Sequence, residues 1–234
     1  KLDKMSLKLA ELKRNIYNSR YIIMDMLSVR GYNVDDYNSF NETEINTLFE
    51  QLNSKVSSSS DIGPLDIIVE RTLHNGKKEK CFIKYRLDEK FKKSKSLEQQ
   101  ILSIYEQHLD KDDTLIILNI TKVPFKQHKK DSNIESFVDD MYSKHQSFIQ
   151  LYGIDNFLFD VSKHYTVPKH EIIYKDEIEK MKAQYNVKLL SNLPTIRRED
   201  PQAKFIGAKP GQICKITRSS ESNIYSVIYR LVVS

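Results

Sequence analysis

The hydrophobic pattern predicts an α/β domain over residues 1–162, followed by a small α+β module over 163–234 that contains a short β-sheet. Three observations carry this reading. Helical spacing fills the first fifty residues, and the period changes after the turn-rich SSSSDIGP (57–64). The dense apolar run TLIILNI (114–120) requires cover on both faces, as an interior strand does. The tail alternates with a period of two, between proline and glycine punctuation.

Each element follows from its own residues. Leu9, Leu12, Ile16, Ile23, Met26 and Leu27 recur at helical spacing within 6–30, and Gly31 supplies the stop. Asn41 with Glu44 three residues later marks a second helix start, with Ile45, Leu48, Phe49 and Leu52 on one face. LDIIVERTL (65–73) reads as a strand, HNGK as a turn built on Asn75 and Gly76, and KCFIKYRL (80–87) as the returning strand. Ser94 or Ser96 caps a helix through His108. An exposed loop over 122–133 leads to a helix from Ile134 to Tyr152, so that 122–152 has the character of an inserted loop and helix. NFLFDVS (156–162) reads as another strand.

In the second module, Asp176 opens a helix within YKDEIEKMKAQYNV (174–187), and Pro194 breaks any later helix. Asp200 before Pro201 is a cap followed by a good first helical residue, so DPQAKF makes one or two turns ending near Gly207. Gly207, Pro210 and Gly211 then turn the chain into QICKITRS (212–219). The last strand, YSVIYRLVV (225–233), is apolar on both faces, which suits a strand covered once by its own module and once by something else.

Composition narrows the functional classes. No run approaches the roughly 18 apolar residues of a membrane span, so no membrane partner is expected. Cys81 and Cys214 lie far apart and read as buried thiols; His128, His145, His164 and His170 are scattered over different elements, so no metal or other cofactor is implied. The net charge of +5 is uneven: residues 1–60 balance at zero, whereas 71–95 carry ten basic and three acidic side chains. Facing outward together, Lys77, Lys78, Lys80, Lys90, Lys92 and Lys93 would offer nonspecific contacts to DNA phosphates. The bland counterpart is a solvated lysine face.

Two rival readings arise from the same residues. Asp66 and Glu70 on one strand, with Glu79 and Lys84 after them, invite comparison with a metal-dependent nuclease. The compact Glu-x-Lys arrangement is missing, since Lys80 and Cys81 follow Glu79. A stand-alone DNA-binding regulator is the other rival.

VPKH (167–170), LPTI (193–196), DPQAKFIGAKPGQICKITRSSE (200–221) and YSVIYRLV (225–232) together resemble one family. This is the fifth-largest subunit shared by the nuclear RNA polymerases of eukaryotes, which has an archaeal counterpart and is also encoded by some large DNA viruses. SRYIIMDMLSVRGY (19–32) resembles the start of the eukaryotic and viral form. The resemblance implies a noncatalytic subunit. Its C-terminal assembly domain would dock on the largest polymerase subunit within the remaining polymerase assembly. Its N-terminal domain, with a restriction-endonuclease-like outline, would form part of the lower jaw beside downstream double-stranded DNA.

Carried onto this sequence, the assembly signature is Pro168, His170, Pro194, Asp200, Pro201, Gly207, Gly211, Lys215, Arg218, Ser220, Glu221, Tyr229 and Arg230, with Lys204 beside them. Lys204 and Phe205 stand where the family usually has arginine and tyrosine. Ser222, Asn223 and Ile224 replace a threonine followed by Ala-Gly. The implied location is the nucleus for a cellular member, and a cytoplasmic replication site or the virion for a viral one.

Overall fold

The computed structural model describes residues 2–37, 40–54, 62–73, 76–86, 95–119, 132–219 and 225–234. The chain divides into two compact units, Lys1–Phe159 and Asp160–Ser234.

The first unit opens with α1 (Leu2–Val29) and α2 (Glu42–Ser54). The α2 start is a reciprocal capping box: the Asn41 side chain accepts from the Glu44 amide at 2.9 Å, and Glu44 accepts from the Asn41 amide at 2.8 Å. Then come β1 (Ile67–Thr72), β2 (Lys78–Arg86), α3 (Lys95–His108), β3 (Thr114–Asn119), α4 (Ser132–His145) and β4 (Phe148–Gly153). The sheet order is β1-β2-β3-β4, with β1 antiparallel to β2 and the remaining neighbours parallel. Parallel neighbours need a crossover, which α3 and α4 provide.

Helices lie on both faces of this sheet. On one, Phe82, Leu115, Ile117, Ile149 and Leu151 pack against Leu97, Ile101 and Ile104 of α3 and Phe137, Val138 and Met141 of α4. On the other, Arg30, just past the end of α1, donates to Gln150 of β4 at 2.8 Å, and Arg20 of α1 donates to the Leu65 carbonyl at 2.8 Å. Every residue of β3 is buried, as its unbroken apolar run predicts. The β1–β2 hairpin also forms as predicted: the Gly76 amide donates to the Leu73 carbonyl at 2.8 Å. Asn75 lies outside the described residues, as do most of 122–133 and most of SSSSDIGP.

Two expectations fail in this unit. The helix expected from Ile134 to Tyr152 stops at His145, and its last stretch is the buried edge strand β4. Gln146 has φ 58°, a left-handed conformation that breaks the helical path. NFLFDVS is not a strand. It holds the end of one short 3-10 turn (Ile154–Phe157) and the start of another (Val161–Lys163). Both errors share a cause: a short apolar run satisfies a helical or an extended period equally well, and sheet pairing decides between them.

The second unit contains β5 (Lys169–Ile173), α5 (Lys175–Tyr185), β6 (Thr195–Arg197), α6 (Pro201–Phe205), β7 (Ile213–Arg218) and β8 (Ser226–Val233), in a sheet ordered β5-β7-β8-β6. α5 begins one residue before Asp176, which lies in its first turn rather than capping it. Two apolar clusters sandwich the sheet. Cys214, Ile216, Val232 and Ile196 meet Ala203 and Ala208 on one face; Ile173, Ile213 and Tyr229 meet Met181 and Ile178 on the other. No helix among the described residues is long and apolar enough to cross a membrane.

Asp200 caps α6 as its sequence predicts, accepting from the Gln202 and Ala203 amides at 3.0 and 3.2 Å. Replacing it with alanine orphans those donors, and Asp200→Ala is expected to lower unfolding stability by about 1 kcal/mol. Urea unfolding of the full chain, followed by tyrosine near-ultraviolet dichroism, reads this as a shifted midpoint.

Candidate docking site

Most of the assembly signature builds the second unit. The His170 ring meets the Pro168 carbonyl at 2.7 Å, and the Pro194 carbonyl accepts from the Leu231 amide at 2.8 Å. Gly211 has φ +88°, where a side chain would be strained, and its amide donates to the Val232 carbonyl at 2.9 Å. Gly207, at φ 71°, ends α6 in the same left-handed region. Lys204 is only 4% exposed, and its ammonium reaches Glu199 at 3.0 Å. Cys81 and Cys214 are both buried thiols not joined in a disulfide, and burial pushes the Cys214 thiol up to about 11.

A second group faces outward at one end of the sheet. Arg218 ends β7 in an exposed position, opposite Ser226. Arg230 donates to the Thr195 carbonyl at 3.1 Å, tying β8 to the start of β6. Lys215 is half-buried between Glu171 and Tyr229 in neighbouring strands, and Tyr229 meets the Tyr185 ring edge-on at 5.6 Å. Ser220 and Glu221 lie outside the described residues, as do Ser222, Asn223 and Ile224. The signature omits Tyr225 and Ile228, which are 71% and 40% exposed, one residue before and two residues after Ser226, the cross-strand partner of Arg218. Their signal was the apolar content on both faces of the final strand.

The basic window in the first unit is less bare than its composition implies. Lys77 pairs with Asp112, and Lys78 and Lys80 stand 3.9 and 4.0 Å from Glu70. A window count cannot register carboxylates that the fold brings in from the 110–113 turn. Lys90, Lys92 and Lys93 lie outside the described residues.

The carboxylates that suggested a nuclease are engaged in structural contacts. Asp66 accepts from Lys84 at 2.7 Å, from the Gly63 amide at 2.7 Å and from the Tyr85 amide at 2.9 Å. Burial raises its carboxyl above the usual range, opposed by Lys84 and the two amides. Glu79 is held by Arg71 at 2.6 and 2.9 Å, and Glu70 is exposed beside Lys78 and Lys80. Among the described residues, no three metal-ligating side chains come together.

The family model for the C-terminal domain of RNA polymerase Rpb5 matches residues 159–232. The chain is 49% identical over 75 residues to DNA-directed RNA polymerase subunit Rpo5 of Sulfolobus acidocaldarius, a match spanning 32% of this chain and 88% of that relative. The chain belongs to the Rpo5/Rpb5 family of RNA polymerase subunits. Rpo5 of Archaeoglobus fulgidus is 48% identical over 79 residues and 97% of its length, and that of Methanocaldococcus jannaschii 42% over 73 residues and 92%. The resemblance seen in the tail sequence is thereby borne out. These Rpo5 matches account for about a third of the present chain, and the family model covers almost the whole second unit.

The buried Asp66–Lys84 pair yields a stability prediction. Lys84→Met leaves a carboxylate buried without its cation and is expected to cost about 3 kcal/mol, measured by urea unfolding. Adding Asp66→Asn should recover only part of that loss, because an oxygen that accepts from the Gly63 or the Tyr85 amide is replaced by a donor.

Proposed function

We propose that the chain is a noncatalytic subunit of a DNA-directed RNA polymerase, with its second unit docking on the largest subunit. One observation carries this reading. Archaeal Rpo5 proteins are matched over 88 to 97% of their length by stretches of 75 to 79 residues, about the size of the second unit. A module of that size, without anything like the first unit, suffices for an RNA polymerase subunit in those organisms. The physical state of the module supports docking. It has about 75 residues and neither a disulfide nor a metal cluster among the described residues, near the size where an isolated core is marginal. Association with a larger protein stabilises such a module by linkage.

The outward group supplies the contact. Ile228 presents apolar surface on the sheet face of Arg218, with Tyr225 exposed just before the strand, and peripheral charge of this kind fixes orientation more than it adds affinity. Arg218→Glu is expected to weaken copurification with the largest polymerase subunit at least about tenfold, since like-charge mismatches cost several kcal/mol. Arg218 is a cleaner probe than Arg230, which also holds Thr195. Retention at wild-type stoichiometry would remove Arg218 from the interface.

For the first unit, we infer a place in the lower jaw beside downstream DNA, on an outline related to restriction-endonuclease-like domains. The support is the exposed hairpin that carries Lys77, Lys78 and Lys80. Because these lysines already have carboxylate neighbours, phosphate contact must exchange one anion for another, and each contributes weakly. Replacing Lys77, Lys78, Lys80, Lys90, Lys92 and Lys93 with glutamine is expected to reduce downstream DNA crosslinking within the assembled polymerase and to flatten its dependence on salt. Unchanged crosslinking would separate the jaw reading from the docking reading.

A further inference from the structure

Among the described residues, half of β8 has no neighbour on its outer side. β6 pairs only Thr195–Arg197 with Leu231–Val233, and the register ends at Pro194, which has no amide to extend the ladder. Ser226 to Arg230 pair with β7 on the inner side alone.

The hydrogen bonds at the paired end fix which groups face the open side. The Leu231 amide points outward to the Pro194 carbonyl, and the Val233 carbonyl outward to the Arg198 amide, each at 2.8 Å. Val232 points inward, with its amide on the Gln212 carbonyl and its carbonyl on the Gly211 amide, each at 2.9 Å. Backbone direction alternates along a strand. Val227 and Tyr229 therefore aim their amides and carbonyls at the open edge, whereas Ile228 and Arg230 aim theirs at β7.

Nothing in this stretch blunts the edge: Ser226 to Tyr229 contain no lysine, proline or glycine, the usual guards of an exposed strand. The side chains describe the complement. On one face, Ile228 lies between Arg230 and the cross-strand position of Arg218. That arrangement matches an extended segment with an apolar side chain flanked by carboxylates.

Resting on the docking reading, we propose that an acidic, extended segment of the partner polypeptide adds to this sheet as a fifth strand, hydrogen-bonding to the backbone of Val227 and Tyr229. The open stretch, about four residues and ~13 Å long, sets the length of that segment.

Hydrogen exchange of single amides in the full chain, free and in the assembled polymerase, tests this directly. The Val227 and Tyr229 amides should exchange rapidly in the free chain and slow by about a hundredfold or more on assembly. The Ile228 and Arg230 amides, already bonded to β7, should be slow in both. If the chain assembles and Val227 and Tyr229 still exchange at their free rates, strand addition is overturned while docking stands. Failure to assemble at all overturns both readings. Protection of the same two amides in the concentrated chain alone, with a dimer in sedimentation, would assign the edge to a second copy and overturn the partner segment.

Substitution gives an independent arm. Val227→Pro deletes an outward amide and no β7–β8 bond, so it should fold with an unchanged far-ultraviolet spectrum and lose at least tenfold in capture by the largest subunit. Val227→Ala should be captured normally. A folded Val227→Pro chain captured like wild type would overturn the proposal, and the exchange pattern decides the matter if that variant does not fold.

Discussion

Pro194 ends the pairing of β6 after three residues, and much of the surface that the second unit presents outward depends on that stop. A longer β6 would cover β8 along its whole length and leave a closed sheet edge. The short one ties down the last three residues of the ladder and leaves the residues before them paired on one side only. Arg230 reinforces the junction by bonding to the Thr195 carbonyl, so the open stretch begins at a fixed point.

The same unit shows how few residues can build a two-faced core. β7 contributes Ile213 to one apolar cluster and Cys214 with Ile216 to the other. Short helices cover both sides, and the left-handed turns at Gly207 and Gly211 bring the chain from α6 straight into β7. Several signature residues work at these turns and caps rather than at the surface. The part of the signature that faces outward is small and is joined by apolar side chains, Tyr225 and Ile228, which no motif emphasised.

The first unit uses buried charge in another way. Arg20 and Arg30 bind α1 to the sheet through the Leu65 carbonyl and the Gln150 side chain, and Arg71 spans Glu79 and the Arg30 carbonyl. Of these contacts, Arg71–Glu79 is an ion pair, whose net contribution to stability is small because desolvation offsets the attraction; the others are charge-assisted bonds to neutral acceptors. Asp66, held by Lys84 and two backbone amides, belongs to the same scheme, which accounts for acidic residues in this fold without a catalytic role.

The sequence by itself determined whatever is decided within a few residues: the capping box at Asn41, the Asp200–Pro201 helix start, the hairpin around Gly76 and the fully buried β3. These depend on side-chain reach and backbone preference, which adjacent residues settle among themselves. The second unit was legible for the same reason, because its caps and turns are closely spaced. Only the tertiary structure decided that Phe148–Gly153 is a strand, that Lys204 turns inward to Glu199, that Asp112 and Glu70 offset the hairpin lysines, and that β8 keeps an open edge. Each of these outcomes depends on a neighbouring strand, on burial or on a charge brought in by another part of the chain, and local pattern carries no record of such neighbours.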